Sequence, residues 1–281
     1  MRDKRLIQLY ITNMCNSRCK TCTIWQNRQR EELSVEQIRD IVLADKDADF
    51  VIGGGEAILH GHIHEVLEML FKEGINYTLL SNAIQLHRLC SVVSRFHVPS
   101  VTVSCDGINH DSIRGCDRNL HNIQTFVRWA KYQGVNFKLS YTYSAYNEKH
   151  FAEDMEFFKS LGIDKIYFCL AQEMALLKCD GKSEIVASSF EQILDYKDML
   201  FDKDVRFIEN MLSGKKPKCD SQSTVFTVYS NGDVVRCQSY LSSPRIFNIN
   251  DLPFSLWLES AKNITCPYDE QCNLLCQRRY D

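Results

Sequence analysis

Short apolar runs and amphipathic segments alternate along the N-terminal part of the chain. The runs are rich in β-branched and aromatic residues, which is typical of buried strands. We predict strands at about 6–11, 49–52, 77–80, 101–104, 137–143 and 165–169. The intervening segments carry apolar residues at helical spacing, and we predict helices at about 34–45, 62–72, 86–95, 119–134 and 149–161.

This order of elements predicts a parallel sheet with right-handed crossovers, because each strand is followed by a helix. Six such units are too few for a closed barrel of eight. We therefore expect an α/β fold in the form of a partial (β/α)6 barrel, whose open side would admit a large substrate.

Two local signals refine the helices. Ser34 is a favourable N-cap, and Val35, Ile38, Val42 and Leu43 are predicted to share the buried face of the helix that follows. The alternating histidines near the start of the next helix are expected to be surface or capping groups; they are His60, His62 and His64.

The alternation of strands and helices fades after about residue 178. Helices at about 189–200 and 205–212 precede a linker at 213–218. Beyond it, Asn231-Gly232 between two β-prone runs predicts a hairpin. We divide the chain into a barrel core at 1–178, a helical connector at 179–218 and a small cysteine-rich α+β extension at 219–281.

Composition narrows the classes of function. The 281 residues are 44% hydrophobic, enough for a substantial core, and the net charge of −3 gives no basic field that would recruit nucleic acid. The lysines at 215, 216 and 218 favour a solvated segment over a nucleic-acid patch. No apolar run approaches the roughly 20 residues of a membrane span. Thirteen cysteines without a signal peptide indicate metal or redox chemistry in a reducing cytoplasm.

Three of these cysteines, Cys15, Cys19 and Cys22, follow the first predicted strand. They therefore lie on a loop at a strand's carboxyl end, where parallel α/β folds bind ligands. Three thiols are one fewer than a structural zinc site needs, but they suit a 4Fe–4S cluster with one open iron. A zinc site completed by a distant residue is the alternative.

The Cys-x3-Cys-x2-Cys spacing resembles the signature of radical S-adenosylmethionine (SAM) enzymes. That resemblance implies a 4Fe–4S cluster that binds SAM and cleaves it reductively to a 5′-deoxyadenosyl radical, which abstracts a substrate hydrogen atom. The family usually has an aromatic residue before the third cysteine. Here it is Thr21, so the adenine contact must come from elsewhere.

Gly54, Gly55 and Glu56 follow the second predicted strand. Glycines let the backbone approach a ligand, and a carboxylate can accept hydrogen bonds from an ammonium group. The stretch resembles the family's Gly-Gly-Glu-Pro motif, which holds the amino group of SAM, with Ala57 in place of proline. An ordinary strand-to-helix turn is the alternative.

The stretch 101–114 resembles the SAM-contacting segment of the SPASM/twitch subfamily, which implies that Ser104 and Arg114 contact SAM. Asp106 is expected to be structural, in an Asx turn with Gly107. Asn82 and Asn147 also lie at strand ends. Each is either a SAM contact or a turn residue.

A second cysteine system resembles the SPASM/twitch extension, which carries auxiliary 4Fe–4S clusters. Its members are Cys219, Cys237, Cys266, Cys272 and Cys276. Two clusters ligated only by cysteine need about eight thiolates, so these five predict one auxiliary cluster. We expect ligation by the first two cysteines and by two of the last three. A zinc knuckle held by four thiolates is the alternative.

Three further cysteines lie near or beyond strand ends: Cys105, Cys169 and Cys179. A thiol at the barrel mouth could return a hydrogen atom to a substrate radical, as in some epimerases of the family. The commoner role of a buried cysteine is that of a small hydrophobe.

The resemblance covers nearly the whole chain and implies an oxidoreductase or isomerase-type radical SAM enzyme, supplied with electrons by a donor such as flavodoxin or ferredoxin. Modification of a ribosomally made peptide is the first hypothesis for its reaction. Because the chain begins at its first strand, we expect no leader-binding domain, which keeps sugars, aminoglycosides and modified nucleotides as alternative substrates. A non-catalytic zinc-binding module is the rival from another class.

Overall fold

A computed structural model of the chain describes residues 4–171, 185–215, 224–236 and 247–260. All six predicted strands are present and pair in parallel, each beside its predecessor. They are β1 (Leu6–Thr12), β2 (Asp49–Gly54), β3 (Tyr77–Ser81), β4 (Ser100–Ser104), β5 (Phe137–Tyr143) and β6 (Tyr167–Leu170). The fold is the predicted α/β arrangement around an open parallel sheet.

The predicted crossover helices are also present. They are α1 (Val35–Ala44), α2 (Ile63–Lys72), α3 (Leu86–Arg95), α5 (Asn119–Gln133) and α6 (Phe151–Ser160). A short helix that the pattern did not predict, α4 (His110–Arg114), lies between β4 and α5. It supplies one wall of the cysteine loop described below.

The two faces of the sheet differ in character. Tyr141 of β5 packs against Phe151 of α6 and Phe168 of β6, so this face meets the helices and forms the core. Ser140 points to the opposite, inner face, where its hydroxyl lies 4.0 Å from the sulfur of Cys169. Because strand side chains alternate, each strand presents core residues outward and other residues to the interior of the partial barrel.

The sheet continues beyond β1 at its other edge. Strand β7 (Val225–Val228) pairs with β1 in parallel, and β8 (Asp233–Arg236) returns antiparallel to β7. The predicted hairpin at Asn231-Gly232 is therefore confirmed. Two further elements follow, namely β9 (Phe247–Asn248) and α8 (Phe254–Ser260). The hairpin assigned to the extension thus shares the sheet of the core, and the proposed boundaries at 178 and 218 stay predictions.

One local expectation is wrong. Leu43 is 40% exposed, because the buried stripe of α1 consists of Ile38, Ile41 and Val42 at i, i+3 and i+4 spacing. His60 is a capping group, since its Nδ1 accepts from the backbone N–H of His62 at the start of α2, and it is buried with Nε2 2.8 Å from the carbonyl oxygen of Leu33. The helical stretch predicted at 189–200 is present as a 3-10 helix (Glu191–Met199), and α7 (Asp202–Leu212) follows it.

Helix α1 begins at a capping box. The Ser34 hydroxyl accepts from the backbone N–H of Gln37, and the Gln37 side chain accepts from the backbone N–H of Ser34. This pair satisfies two N–H groups that a helix start otherwise leaves open.

Replacing Ser34 by alanine removes one of these bonds. We expect the free energy of unfolding to fall by about 1 kcal/mol, the usual loss for an N-cap. Urea denaturation of the metal-free, reduced protein measures it. The exposed Ser91 within α3 is the control, because Ser91→Ala removes a hydroxyl that caps no helix. Equal stability of Ser34→Ala and wild type would contradict this assignment.

Candidate functional site

The loop that carries Cys15, Cys19 and Cys22 leaves the carboxyl end of β1, as predicted. Its first half is tied to the end of β2 by backbone hydrogen bonds. Gly55 N–H donates to the Thr12 carbonyl at 2.8 Å, and Glu56 N–H donates to the Met14 carbonyl at 2.7 Å. The loop therefore has a fixed position relative to the second strand.

Both glycines are required by this close approach. A Cβ on Gly54 would lie 2.2 Å from the Thr12 carbonyl oxygen, and a Cβ on Gly55 would lie 2.4 Å from that of Met14. Gly54 also has a φ of 125°, which side-chain-bearing residues rarely adopt. The two glycines therefore admit the backbone of the cysteine loop, and their expected contact with SAM stays a prediction.

The second half of the loop is tied to α4. Arg18 N–H donates to the Arg114 carbonyl at 3.0 Å, and Lys20 N–H donates to the Ile113 carbonyl at 2.9 Å. These carbonyls belong to the last residues of α4, which have no partner within the helix. The loop therefore completes the hydrogen bonding of α4 while the helix holds the loop.

Trp25 holds the third cysteine. Its indole N–H lies 2.7 Å from the Cys22 carbonyl and 3.2 Å from the Cys19 carbonyl. The sequence motifs did not identify this residue. The one available signal was an aromatic residue three positions after the last cysteine.

The three thiols lie close enough together for the charges of Cys19 and Cys22 to affect the ionisation of Cys15. Burial and, to a smaller extent, the nearby Cys19, Glu56 and Cys22 together raise the pKa of Cys15 to about 11, although a hydrogen bond from the Ser17 N–H opposes the rise. Cys19 is only 8% exposed. Cys15 is therefore a neutral thiol without metal, whereas a bound metal deprotonates its thiol ligands outright. The donor set fits an iron–sulfur cluster, since one loop carries three soft sulfur ligands that interact electrostatically and N–H groups lie near two of them.

Glu56 is the buried carboxylate of the site, at 2% exposure. It accepts hydrogen bonds from the Ser81 hydroxyl at 2.8 Å and the Asn82 backbone N–H at 2.6 Å. Burial raises its pKa to about 7, although these two bonds and one from Ile58 N–H oppose the rise. No salt bridge within the described ranges involves Glu56, so its charge can pair with a cationic ligand.

Asn82 lies between Glu56 and the cysteine loop. Its side-chain amide donates to Asn16 at 2.8 Å and lies 4.0 Å from the sulfur of Cys15. The backbone carbonyl oxygen of Asn82 accepts from the side-chain amide of Asn119 at 2.8 Å. This position is compatible with both alternative roles of Asn82, that of a turn residue and that of a ligand contact.

Asn119 is in turn linked to His110. Its amide lies 3.1 Å from Nε2 of His110, whose Nδ1 accepts from the backbone N–H of Asp106. Burial lowers the pKa of His110 to about 4, so the imidazole is neutral at pH 7. His110, Asp111 and Cys116 are close enough together to hold a metal ion. Their existing hydrogen bonds account for that proximity without a metal.

Arg114 makes a two-pronged ion pair with Asp106. Its Nε and Nη2 donate to the two carboxylate oxygens, and Nη1 lies 3.8 Å from the sulfur of Cys19. Asp106 also accepts from the Thr142 backbone N–H at 3.0 Å. Its structural role is confirmed, but through this ion pair instead of the Asx turn that the sequence suggested. The fork of Arg114, expected to grip a SAM carboxylate, already holds a carboxylate of the protein.

Two other predicted SAM contacts lie at strand ends. Ser104 is half-buried at the end of β4, opposite Ser140 of β5. Asn147 is fully buried and uses its amide locally, accepting from the Ser144 N–H at 2.8 Å and donating to the Thr142 carbonyl at 3.0 Å. The hydrogen bonds favour the turn role for Asn147, and the expected contact of Ser104 with SAM stays a prediction.

The candidate hydrogen donors differ in environment. Cys105 is fully buried in the apolar core, and burial raises its pKa. Cys169 is half-buried on the inner face of β6, and burial raises its pKa to about 11. The third candidate, Cys179, lies outside the described residues. So do the predicted auxiliary ligands, which are Cys219, Cys237, Cys266, Cys272 and Cys276.

An open parallel sheet whose first strand leads into a three-cysteine loop defines a class of iron–sulfur enzyme, and comparison with known families agrees. Residues 9–158 match the family described as the radical SAM superfamily. The chain belongs to that superfamily, as its cysteine spacing indicated.

The chain is similar to several known proteins. It is 31% identical to a GTP 3',8-cyclase of Alkaliphilus oremlandii over 121 residues, which cover 40% of this chain and 38% of that protein. It is 26% identical over 246 residues to an S-adenosylmethionine-dependent nucleotide dehydratase of Fibrobacter sp., covering 80% of this chain and 67% of the relative. The first of these alignments therefore spans well under half of the relative's length.

Solved structures give the same fold. Streptococcus suis SuiB bound to its precursor peptide SuiA superposes with a TM-score of 0.71 at 14% identity, covering 91% of this chain and 64% of SuiB. Within the part of the chain that the structure describes, no helix has the length and apolarity needed to cross a bilayer.

Proposed function

We propose that Cys15, Cys19 and Cys22 hold a 4Fe–4S cluster and that the chain catalyses reductive cleavage of SAM. The observation that carries the proposal is the three-cysteine loop held beside a buried carboxylate, Glu56, that no cation of the described residues neutralises. When bound, the cluster supplies the electron that splits SAM into methionine and a 5′-deoxyadenosyl radical.

The protein residues bind and orient SAM. Glu56 receives the ammonium group of the methionine moiety, and burial strengthens this pairing because water is excluded. Gly54 and Gly55 hold the cysteine loop close to Glu56, at the distance that binding of SAM between them requires. Asn82 and Ser104 contribute polar groups to the same ligand. Arg114, whose Nε and Nη2 pair with Asp106, contributes through Nη1. We assign Asn147 to the turn after β5.

The pH dependence of SAM binding tests the role of Glu56. Its pKa of about 7 is raised, so the carboxylate is mostly protonated at pH 6 and mostly ionised at pH 8. Pairing with an ammonium needs the ionised form, and SAM affinity should therefore rise with pH through 7. We expect binding at pH 6 to be about tenfold weaker than at pH 8.

Equilibrium dialysis of SAM against the anaerobic protein measures this difference. In Glu56→Gln the affinity should be lower, and the step between pH 6 and pH 8 should shrink markedly. Glu68→Gln is the matched control, because Glu68 is exposed on α2 and should leave both the affinity and the step unchanged. An unchanged step in Glu56→Gln would remove Glu56 from the SAM site.

We also propose one auxiliary 4Fe–4S cluster, held by Cys219, Cys237 and two of the three cysteines at 266, 272 and 276. The hairpin of β7 and β8 supports this, because the first two cysteines flank it in the sequence. Iron analysis after anaerobic reconstitution should give about eight irons per chain if the auxiliary cluster is present beside the cluster of the three-cysteine loop. It should give about four if the auxiliary cluster is absent.

Modification of a ribosomally made peptide is the reaction that we propose first, as an oxidoreductase or isomerase-type step in the cytoplasm with flavodoxin or ferredoxin as electron donor. The likeness of fold to SuiB, whose structure contains a precursor peptide, supports it. Action on a nucleotide is the second candidate. It is favoured by the two relatives named for GTP and nucleotide chemistry, one of them aligned over 80% of this chain.

Formation of 5′-deoxyadenosine separates these candidates. The reduced protein is incubated with SAM alone, with the four nucleoside triphosphates, or with precursor peptides encoded beside its gene. The true substrate class should accelerate 5′-deoxyadenosine release above the SAM-only rate. A colourless protein that contains stoichiometric zinc and forms no 5′-deoxyadenosine would support the zinc-binding module instead.

A further inference from the structure

The ion pair between Arg114 and Asp106 lies directly behind one cysteine of the loop. Nη1 of Arg114 is 3.8 Å from the sulfur of Cys19, whereas Nε and Nη2 both contact Asp106. The guanidinium is therefore interposed between the sulfur and the carboxylate. The positive group is the nearer of the two charges to Cys19.

This pair is shielded from water. The Arg114 side chain is 14% exposed and that of Asp106 is fully buried. Charges screened so little act on a neighbouring group far more strongly than surface charges do. Cys19 itself is among the buried residues, so its sulfur receives the field of the guanidinium with little attenuation.

The other neighbour of the sulfur is less suited to donate to it. The Ser17 hydroxyl lies 3.1 Å from Cys19 Sγ, but it also lies 2.8 Å from the Arg114 carbonyl oxygen, to which it donates. A hydroxyl has only one proton. Arg114 Nη1 is thus the cationic donor directed at this sulfur in the described part of the chain.

Hydrogen bonds and positive charge at a cluster sulfur stabilise the reduced state, because reduction adds a negative charge. We propose that the Arg114–Asp106 ion pair is a potential-setting device, which raises the reduction potential of the cluster through the sulfur of Cys19. Asp106 fixes the direction of the guanidinium and offsets part of its charge. This inference rests on the proposed cluster at Cys15, Cys19 and Cys22.

The experiment is a redox titration followed by electron paramagnetic resonance on the full chain, reconstituted without oxygen. The SAM-binding cluster is identified as the signal that changes when SAM is added, and its potential is then measured without SAM. The double variant Arg114→Gln/Asp106→Asn removes both charges, so neither is left buried and unpaired. Iron content is measured in parallel.

In the double variant we expect the equilibrium constant for reduction of this cluster to be at least about tenfold smaller. Its reduction potential should then be lower by about 59 mV for one electron. The matched control is Lys20→Gln. It removes one positive charge from the same loop, but the Lys20 ammonium is exposed and lies 3.2 Å from the Ser112 hydroxyl. The potential of the SAM-binding cluster in Lys20→Gln should equal that of wild type. The auxiliary signal should stay constant in every variant.

An iron-replete double variant with the wild-type potential would overturn the inference, even if SAM affinity changed. If the double variant takes up no iron, Asp106→Asn alone decides, because it removes a negative charge and should raise the potential. A lowered or unchanged potential there would also overturn the inference. Wild-type protein without a SAM-responsive signal would instead remove the proposed function, and the two failures are therefore distinguishable.

Discussion

Replacing Cys15 by alanine is expected to abolish the formation of 5′-deoxyadenosine from SAM. The loop offers three thiols, and a cluster that keeps one iron open needs all three as ligands. Its backbone accepts hydrogen bonds from Gly55 and Glu56 on one side and donates hydrogen bonds to carbonyls of α4 on the other. The variant should therefore fold, yet lose the cluster and produce no more 5′-deoxyadenosine than a protein-free control.

The matched control is Cys90→Ala. Cys90 is a half-buried thiol on α3, remote in sequence from the loop, and its burial raises its pKa to about 11. This variant should keep its iron and its rate of SAM cleavage. Wild-type yields of 5′-deoxyadenosine from Cys15→Ala would refute the assignment of the loop.

The second large effect is expected for Gly55→Ala. A methyl group there would lie 2.4 Å from the Met14 carbonyl oxygen, a backbone atom that can move only if the loop moves. We expect about 2–4 kcal/mol of lost stability from overpacking and from the bonds to Thr12 and Met14 that are broken. The displaced loop should retain little iron.

Gly74→Ala is the control for this prediction. Gly74 has a φ of 66°, so alanine is strained there, but nothing lies within 4 Å of the added methyl. The strain should cost about 1–2 kcal/mol while the iron content stays at the wild-type level. If Gly55→Ala bound as much iron as Gly74→Ala, the close approach of the two backbones would not be what positions the loop.

The sequence pattern predicted the fold well because its signals are local. Helix α3 (Leu86–Arg95) and strand β5 (Phe137–Tyr143) have the predicted bounds, since turn residues and clear periodicity delimit them. Helix α4 was missed because five residues give too short a pattern. The burial of His60 was not predicted because it depends on the carbonyl of Leu33, which is distant in sequence.

The candidate site was predictable as a set of residues but not as a network. Spacing alone placed three cysteines on one loop. It also placed Glu56 after the next strand, one strand–helix unit further along the chain. That Gly55 packs on Met14 depends on a contact between segments far apart in the chain. That Arg114 pairs with Asp106 depends on the path of the loop and short helix between them. No periodicity or motif encodes such a pairing, so the sequence assigned the fork of Arg114 to SAM.

The most direct test of the central claim is the electron paramagnetic resonance spectrum of the reduced, iron-reconstituted protein, recorded with and without SAM. If the loop of Cys15, Cys19 and Cys22 leaves one iron open, SAM should change the g values of one cluster signal in the wild type. That signal should be absent from Cys15→Ala. A reduced protein whose spectrum is the same with and without SAM would contradict the account.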